Sequence, residues 1–204
     1  MIRIALTGVF GSGKSTVAKI LKDEGATVIS CDAFVKRLLS TSAIKAEIRA
    51  AFGQAFFTRT GAVDREKLAA LVFRARSARK KLEKIIHPRV FEWIQKTLDR
   101  FSGTCKMIVV EIPLLFETKS ENQFDEIITV STSPDIIRKR LSKKFSVYEI
   151  NARLRSQKPL KEKEALSNYV VDNSSSVFQT KKQVRSIVAD IRRRYGLCQK
   201  KSMN

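Results

Sequence analysis

The stretch GVFGSGKS, from Gly8 to Ser15, fits the pattern G-x-x-x-x-G-K-[ST] at Gly8, Gly13, Lys14 and Ser15. Glycines at 8, 11 and 13 let the backbone turn tightly and approach a phosphate closely. The N–H groups at the start of the following helix, with its dipole, favour anions, so Gly8, Gly11, Ser12, Gly13, Lys14, Ser15 and Thr16 are the candidate nucleotide-binding residues. Lys14 brings a mobile charge to the outer phosphates. At an effective dielectric near 20, a charge pair at ~4 Å is worth about 4 kcal/mol, more than a neutral contact supplies. Ser15 offers its hydroxyl to a Mg²⁺ ion bridging the terminal phosphates.

Two acids fall at the ends of predicted strands. Asp32 follows the second strand directly, where a carboxylate can accept the proton of an attacking hydroxyl; its bland alternative is to cap the helix AFVKRLL. Glu111 closes the third strand and is a candidate metal group acting through water. His87 is the only histidine, and a lone histidine is by default a hydrogen-bonded structural group. From Pro134 to Gln157 the chain turns basic, with Arg138, Lys139, Arg140, Lys143, Lys144, Arg153 and Arg155. Such a run reads either as a solvated face or as a lid whose arginines meet transferred phosphate. Only Phe145 and Tyr148 supply aromatic faces there, too few for a stacking nucleic-acid surface.

The elements that must position these groups follow from hydrophobic periodicity. Ile2–Leu6, ATVIS (26–30), Met107–Ile112, Glu126–Val130 and Tyr169–Asp172 are short apolar runs, and helical spacing follows the loop in KSTVAKILKDE. Helical patterns fill 33–102, and a closing helix runs through VFQTKKQVRSIVADIRRRYG, with CQKKSMN expected to fray. Apolar strands alternating with helices imply an α/β fold: an open parallel five-stranded sheet flanked by helices, with ligands at the carboxyl ends of the strands.

Composition bounds the rest. A chain of 204 residues with 43% hydrophobic and 29% charged residues can bury a core and fold as one embellished domain. Lys and Arg number 40 against 20 Asp and Glu, and the resulting +20 favours anionic partners without choosing among them. Cys31, Cys105 and Cys198 are too few and scattered for a disulfide framework or a C-x-x-C metal site. Reduced thiols, the absence of a leader before MIRIALTG and the lack of a long apolar run point to a cytoplasmic protein without a membrane segment.

The chain resembles the dephospho-coenzyme A kinase family over about residues 2–190. Beside the loop, the resemblance rests on SCDAFVKRLL around Asp32, VDREKLAALVF, LEKIIHPRV, VVEIPLLFE, FDEIITV, ARLRSQ and NYVVDNSSS. It implies a P-loop NTPase fold similar to nucleoside monophosphate kinases. A nucleotide core at about 1–32, 103–133 and 168–197 would carry a helical acceptor-binding part at about 33–102 and a lid at about 134–167. The implied reaction moves the γ-phosphoryl of ATP to the ribose 3′-hydroxyl of dephospho-coenzyme A, with Mg²⁺. On that resemblance Asp32 takes the hydroxyl proton, Lys14 and the metal stabilise the transferring group, and Asn173 lies near the adenine. His87, Pro88 and the segment containing Pro113 and Leu114 shape the acceptor pocket.

The chain departs from the family at two places. Phe10 stands where a smaller apolar residue is usual, beside Val9 in place of a second glycine. Aligned on Arg153 and Gln157, Ser142 takes the place of a lid arginine, leaving Arg138, Arg140 or Lys143 to substitute; Arg140 is the candidate taken forward as catalytic. Two rivals remain at this stage: a kinase of another small nucleoside or nucleotide, and a basic nucleic-acid-binding protein using the loop as an ATP switch. The segments HPRV and IPLLFE speak against the first; the second predicts tight, salt-sensitive binding to DNA or RNA, and with aromatics sparse no nucleic-acid partner is expected; oligomeric state is left open.

Overall fold

A computed structural model describes residues 1–197; Cys198 and the tail expected to fray lie outside the described residues. The strands β1 (Ile2–Thr7), β2 (Thr27–Ser30), β3 (Met107–Glu111), β4 (Glu126–Ser131) and β5 (Tyr169–Asp172) form one parallel sheet. Their order is β2-β3-β1-β4-β5. The expected strands are all present, with β1 and β4 extending to Thr7 and Ser131, β2 opening at Thr27 and β3 stopping at Glu111. The chain path reverses at β1, flanked by β3 and β4, so the loop leaving β1 opens at a topological switch point.

The central strands β1, β3 and β4 are buried on both faces, while the edge strands β2 and β5 are more open. On β3, Met107 and Val109 alternate with Ile108 and Val110, and all four are buried. Ile4, Leu6, Val109, Ile128 and Val130 join one core with Val17 and Leu21 of α1 (Lys14–Asp23) and Val184, Val188 and Ile191 of α9 (Val177–Arg194). Each such side chain contributes roughly 1.5–3 kcal/mol on leaving water, and this is what fixes β1 and α1, hence the loop between them.

The described residues divide into two compact units, one of residues 1–30 and 98–197 and the other of residues 31–97. Within the first, α6 (Pro134–Leu141) starts with Ser133 accepting from the Ile136 N–H and with Pro134 in its first turn. A capping box of Ser146 and Glu149 starts α7 (Val147–Arg155), and α8 (Leu160–Ala165) precedes β5.

The second unit is helical: α2 (Cys31–Leu38), α3 (Ser42–Phe52), α4 (Arg65–Arg74) and most of α5 (Arg76–Asp99). Asp64 caps α4 by accepting from the Lys67 N–H at 3.0 Å. Helix α5 runs through Pro88 without interruption, and Ile86, Val90 and Ile94 are buried along it. Phe34 and Trp93 stack face to face in this unit, their centroids 4.3 Å apart.

Candidate active site

The loop between β1 and α1 is built for close approach. At Gly8 (φ 142°) a Cβ would lie 2.6 Å from the Val130 carbonyl oxygen, and at Gly13 (φ 93°) one would lie 2.0 Å from Asn173 Nδ2. Neither place admits a side chain. Gly13 is also the residue preceding α1, and it contributes no side-chain cap, so the helix start presents its N–H groups and the positive end of its dipole at the loop. The Lys14 ammonium lies inside the loop, donating to the carbonyls of Gly8 at 3.1 Å and Val9 at 3.0 Å. Ser15 is exposed and Thr16 half-buried on the first turn, while the buried Ser12 Oγ has no hydrogen-bond partner among the described residues.

Two expected residues meet at the Ser12 carbonyl. Asn173 Nδ2 donates to it at 2.8 Å and Arg140 Nη1 at 3.3 Å, while Arg140 Nη2 donates to the Asn173 carbonyl at 2.8 Å. The Asn173 side chain is fully engaged, since its Oδ1 accepts from Thr180 Oγ1 at 3.0 Å. Its backbone N–H donates to the Ser131 carbonyl, so the exit of β5 is tied to the exit of β4 beside the loop. Arg138 pairs with Asp135 on the exposed side of α6, so of the basic residues considered for the loop, Arg140 is the one whose guanidinium bridges it.

Glu111 is half-buried at the end of β3, in register with Leu6 on one side and Ser30 on the other. The chain then enters a turn in which Leu115 and Phe116 are buried and Pro113 and Leu114 half-buried. The Pro113 carbonyl accepts from Lys163 Nζ at 2.9 Å and, at 3.5 Å, from the Thr7 hydroxyl, one residue before the loop. Lys163 also pairs with Glu117, which accepts from the Lys158 N–H at 2.7 Å. Gln157 Oε1 accepts from the Phe10 N–H at 2.8 Å, and Val9 is buried with Ile137 and Ile150, so α6 and α7 pack on the loop itself.

The remaining candidates lie in the helical unit. Asp32 is exposed in the first turn of α2, which begins at Cys31; it therefore sits inside the helix, not ahead of it as a cap would. There its carboxylate complements the helix dipole. His87 is half-buried on α5, edge-on to Phe91 at 5.9 Å between centroids. Burial draws its pKa below the usual imidazole value, against the pull of Glu83.

A phosphate loop backed by a basic helix is common to many kinases, and comparison with known proteins decides among them. The family model for dephospho-CoA kinase matches residues 2–179. The chain belongs to the dephospho-CoA kinase family. It is 38% identical to a dephospho-CoA kinase of Bradyrhizobium diazoefficiens over 191 residues, 92% of this chain and 94% of that one. Among solved structures, TT1252 from Thermus thermophilus is 30% identical with a TM-score of 0.77, covering 93% of this chain and 97% of that one. A dephospho-CoA kinase from Campylobacter jejuni is 27% identical with a TM-score of 0.68, covering 93% and 96%.

As a member of the dephospho-CoA kinase family the chain is a phosphotransferase. Of the loop surroundings, Lys163 is the residue that the sequence does not announce, while Glu117 closes the segment VVEIPLLFE and Gln157 closes ARLRSQ. Lys163 looks like a surface charge in LKEKEAL, and only its pairing with Glu117 across the fold makes it internal. That Gln157 would cap a loop N–H does not show in the sequence.

Proposed function

We propose that the chain transfers the γ-phosphoryl of ATP to the ribose 3′-hydroxyl of dephospho-CoA, yielding CoA and ADP, in a Mg²⁺-dependent reaction in the cytoplasm. The observation that carries this is the loop itself: an uncapped helix start, the Lys14 ammonium and the Arg140 guanidinium converge on it in a chain of this family. Three scattered cysteines suit a reducing compartment.

Lys14 exchanges the Gly8 and Val9 carbonyls for the outer phosphate oxygens when the nucleotide binds, so its charge is already in place. Asn173 serves the nucleotide through the loop, holding the Ser12 carbonyl so that the neighbouring N–H groups point outward. Arg140, anchored on the same carbonyl, stands ready to meet the charge that develops on the transferring group. Asp32 accepts the proton of the 3′-hydroxyl as that oxygen attacks the γ-phosphorus and ADP leaves. His87, Pro113 and Leu114 shape the acceptor side.

The donors present suit a hard cation shared with phosphate. Ser15 is an exposed hydroxyl and Glu111 a half-buried carboxylate, and among the described residues no cluster of three His, Cys, Asp or Glu would hold a metal by itself. Ser15 and Glu111 would hold Mg²⁺, which when bound supplies positive charge to the terminal phosphates. An acceptor panel tests the assignment: kcat/KM for dephospho-CoA should exceed that for adenosine or AMP by about 10²-fold or more. Equal use of a simple nucleoside would overturn the choice of acceptor.

A further inference from the structure

Phe10 of the phosphate loop is met by a cation on α7. The Arg153 guanidinium lies over two rings, 4.8 Å from the centroid of Phe10 and 3.9 Å from that of Phe145. The rings meet edge to face, 5.3 Å apart at 68°. Phe10 is in the phosphate loop, Phe145 in the turn between α6 and α7, and Arg153 on α7. The three groups therefore bind the turn and the second helix of the lid hairpin to the loop. A backbone tether runs parallel to them, from the Phe10 N–H to Gln157 Oε1.

The chemistry of this cluster differs from ordinary apolar packing. Arg153 is half-buried, and burial works against its charge, with Glu149 one turn away acting in the opposite sense. A guanidinium stays protonated in such a place. The negative faces of two aromatic rings compensate for part of its lost hydration, which an aliphatic side chain of equal volume does not. Around the clasp the fit is close. Val9 is buried with Ile137 and Ile150, and a Cβ on Gly11 would come within 2.8 Å of Leu141 and 3.1 Å of Ile137. Arg140, on the same helix as Ile137 and Leu141, is the residue that reaches the Ser12 carbonyl.

We propose that Phe10 is a positioning residue: with Phe145 it clasps Arg153 and so latches the lid hairpin to the phosphate loop, setting Arg140 at Ser12. The proposal rests on the phosphotransfer reading above and adds to it a residue acting through the lid. The clasp makes loop and lid a single block, so that loop closure on phosphate and delivery of Arg140 are one event. Loss of either ring frees α7 and lets Arg140 drift, while the acceptor side is untouched.

The test compares Phe10→Leu, Phe10→Tyr and Phe145→Leu in the full chain. The readouts are kcat, KM for dephospho-CoA and amide hydrogen exchange of residues 146–157. Phe10→Leu and Phe145→Leu should each lower kcat about 10-fold, the range one such cation–π contact carries, and speed exchange in α7. The KM for dephospho-CoA should stay within about twofold, since uniform acceptor binding is untouched. Phe10→Tyr, which keeps the aromatic face, should keep both the wild-type kcat and the slow exchange. Full activity in Phe10→Leu, or a Phe10→Tyr protein as impaired as Phe10→Leu, would overturn the proposal. If Phe10→Leu does not fold, Phe145→Leu carries the same test from the lid side. A wild-type protein that forms no CoA would refute the assigned reaction instead, and exchange in α7 would then decide the latch alone: slow exchange that Phe10→Leu leaves unchanged would overturn it.

Discussion

The ammonium of Lys163, wholly buried on α8, pairs with Glu117 at 2.9 Å while donating at the same distance to the Pro113 carbonyl. One side chain thus fastens the segment after β3 to the helix before β5, on either side of the phosphate loop. Burial lowers the pKa of Lys163 and Glu117 raises it in return, with burial prevailing. We expect Lys163→Met to cost about 3–5 kcal/mol, the penalty for breaking a buried pair by removing one partner, read as a shift in urea midpoint. A shift of less than 1 kcal/mol would mean that the pair carries no stability.

Gly13 faces the Asn173 amide with no room between them. Gly13→Ala should weaken ATP binding about 10-fold or more, because a left-handed non-glycine residue alone costs roughly 1–2 kcal/mol and the clash adds to it. Adding Asn173→Ala removes the atom met at 2.0 Å, so the double variant should lose less than the sum of the singles. Isothermal titration with ATP measures both, and strict additivity would show that the two do not touch.

Asp32→Asn keeps the shape of the side chain and removes its basicity. We expect kcat to fall by about 10²–10⁴-fold with ATP affinity nearly unchanged. An unaltered kcat would leave Asp32 as no more than a favourable charge in the first turn of α2.

Two groups set the acid side of the stability profile in separate windows. Burial disfavours the Asp125 carboxylate, but hydrogen bonds from the Arg3 side chain and backbone, with its charge, outweigh burial and hold the pKa below 3.8. Its contribution is full above pH 3.8 and is lost as pH falls through the lower folded value. His87, drawn below 6.5 by burial, favours folding fully above pH 6.5 and loses that contribution as pH falls toward its folded value. Urea unfolding across pH should show Asp125→Asn flattening the first window and His87→Gln the second. Unchanged slopes would show that these groups titrate alike in both states.

Much of the site was legible because its signals are local. The glycine spacing, the strand before it and the helix after it place the loop without any tertiary information, and short apolar runs place all five strands. What stayed hidden depends on contacts far apart in the chain. LKEKEAL has the composition of a solvated helix, and nothing in it announces that Lys163 turns inward to Glu117. That Arg140 reaches the Ser12 carbonyl while Arg138 pairs with Asp135 was not legible, since the two arginines differ by only half a turn of helix. Phe10 was visible as a departure but not as a partner, because its counterpart Arg153 lies on a distant helix.

Phosphoryl transfer to one particular hydroxyl is read by following the label. The full chain is incubated with Mg²⁺, dephospho-CoA and ATP isotopically labelled in the γ-phosphoryl group, and the product is examined by phosphorus NMR. The label should appear as a monoester on the ribose 3′-oxygen, with ADP formed in equal amount. Label on any other position, or no transfer by folded protein that binds ATP, would contradict the assignment.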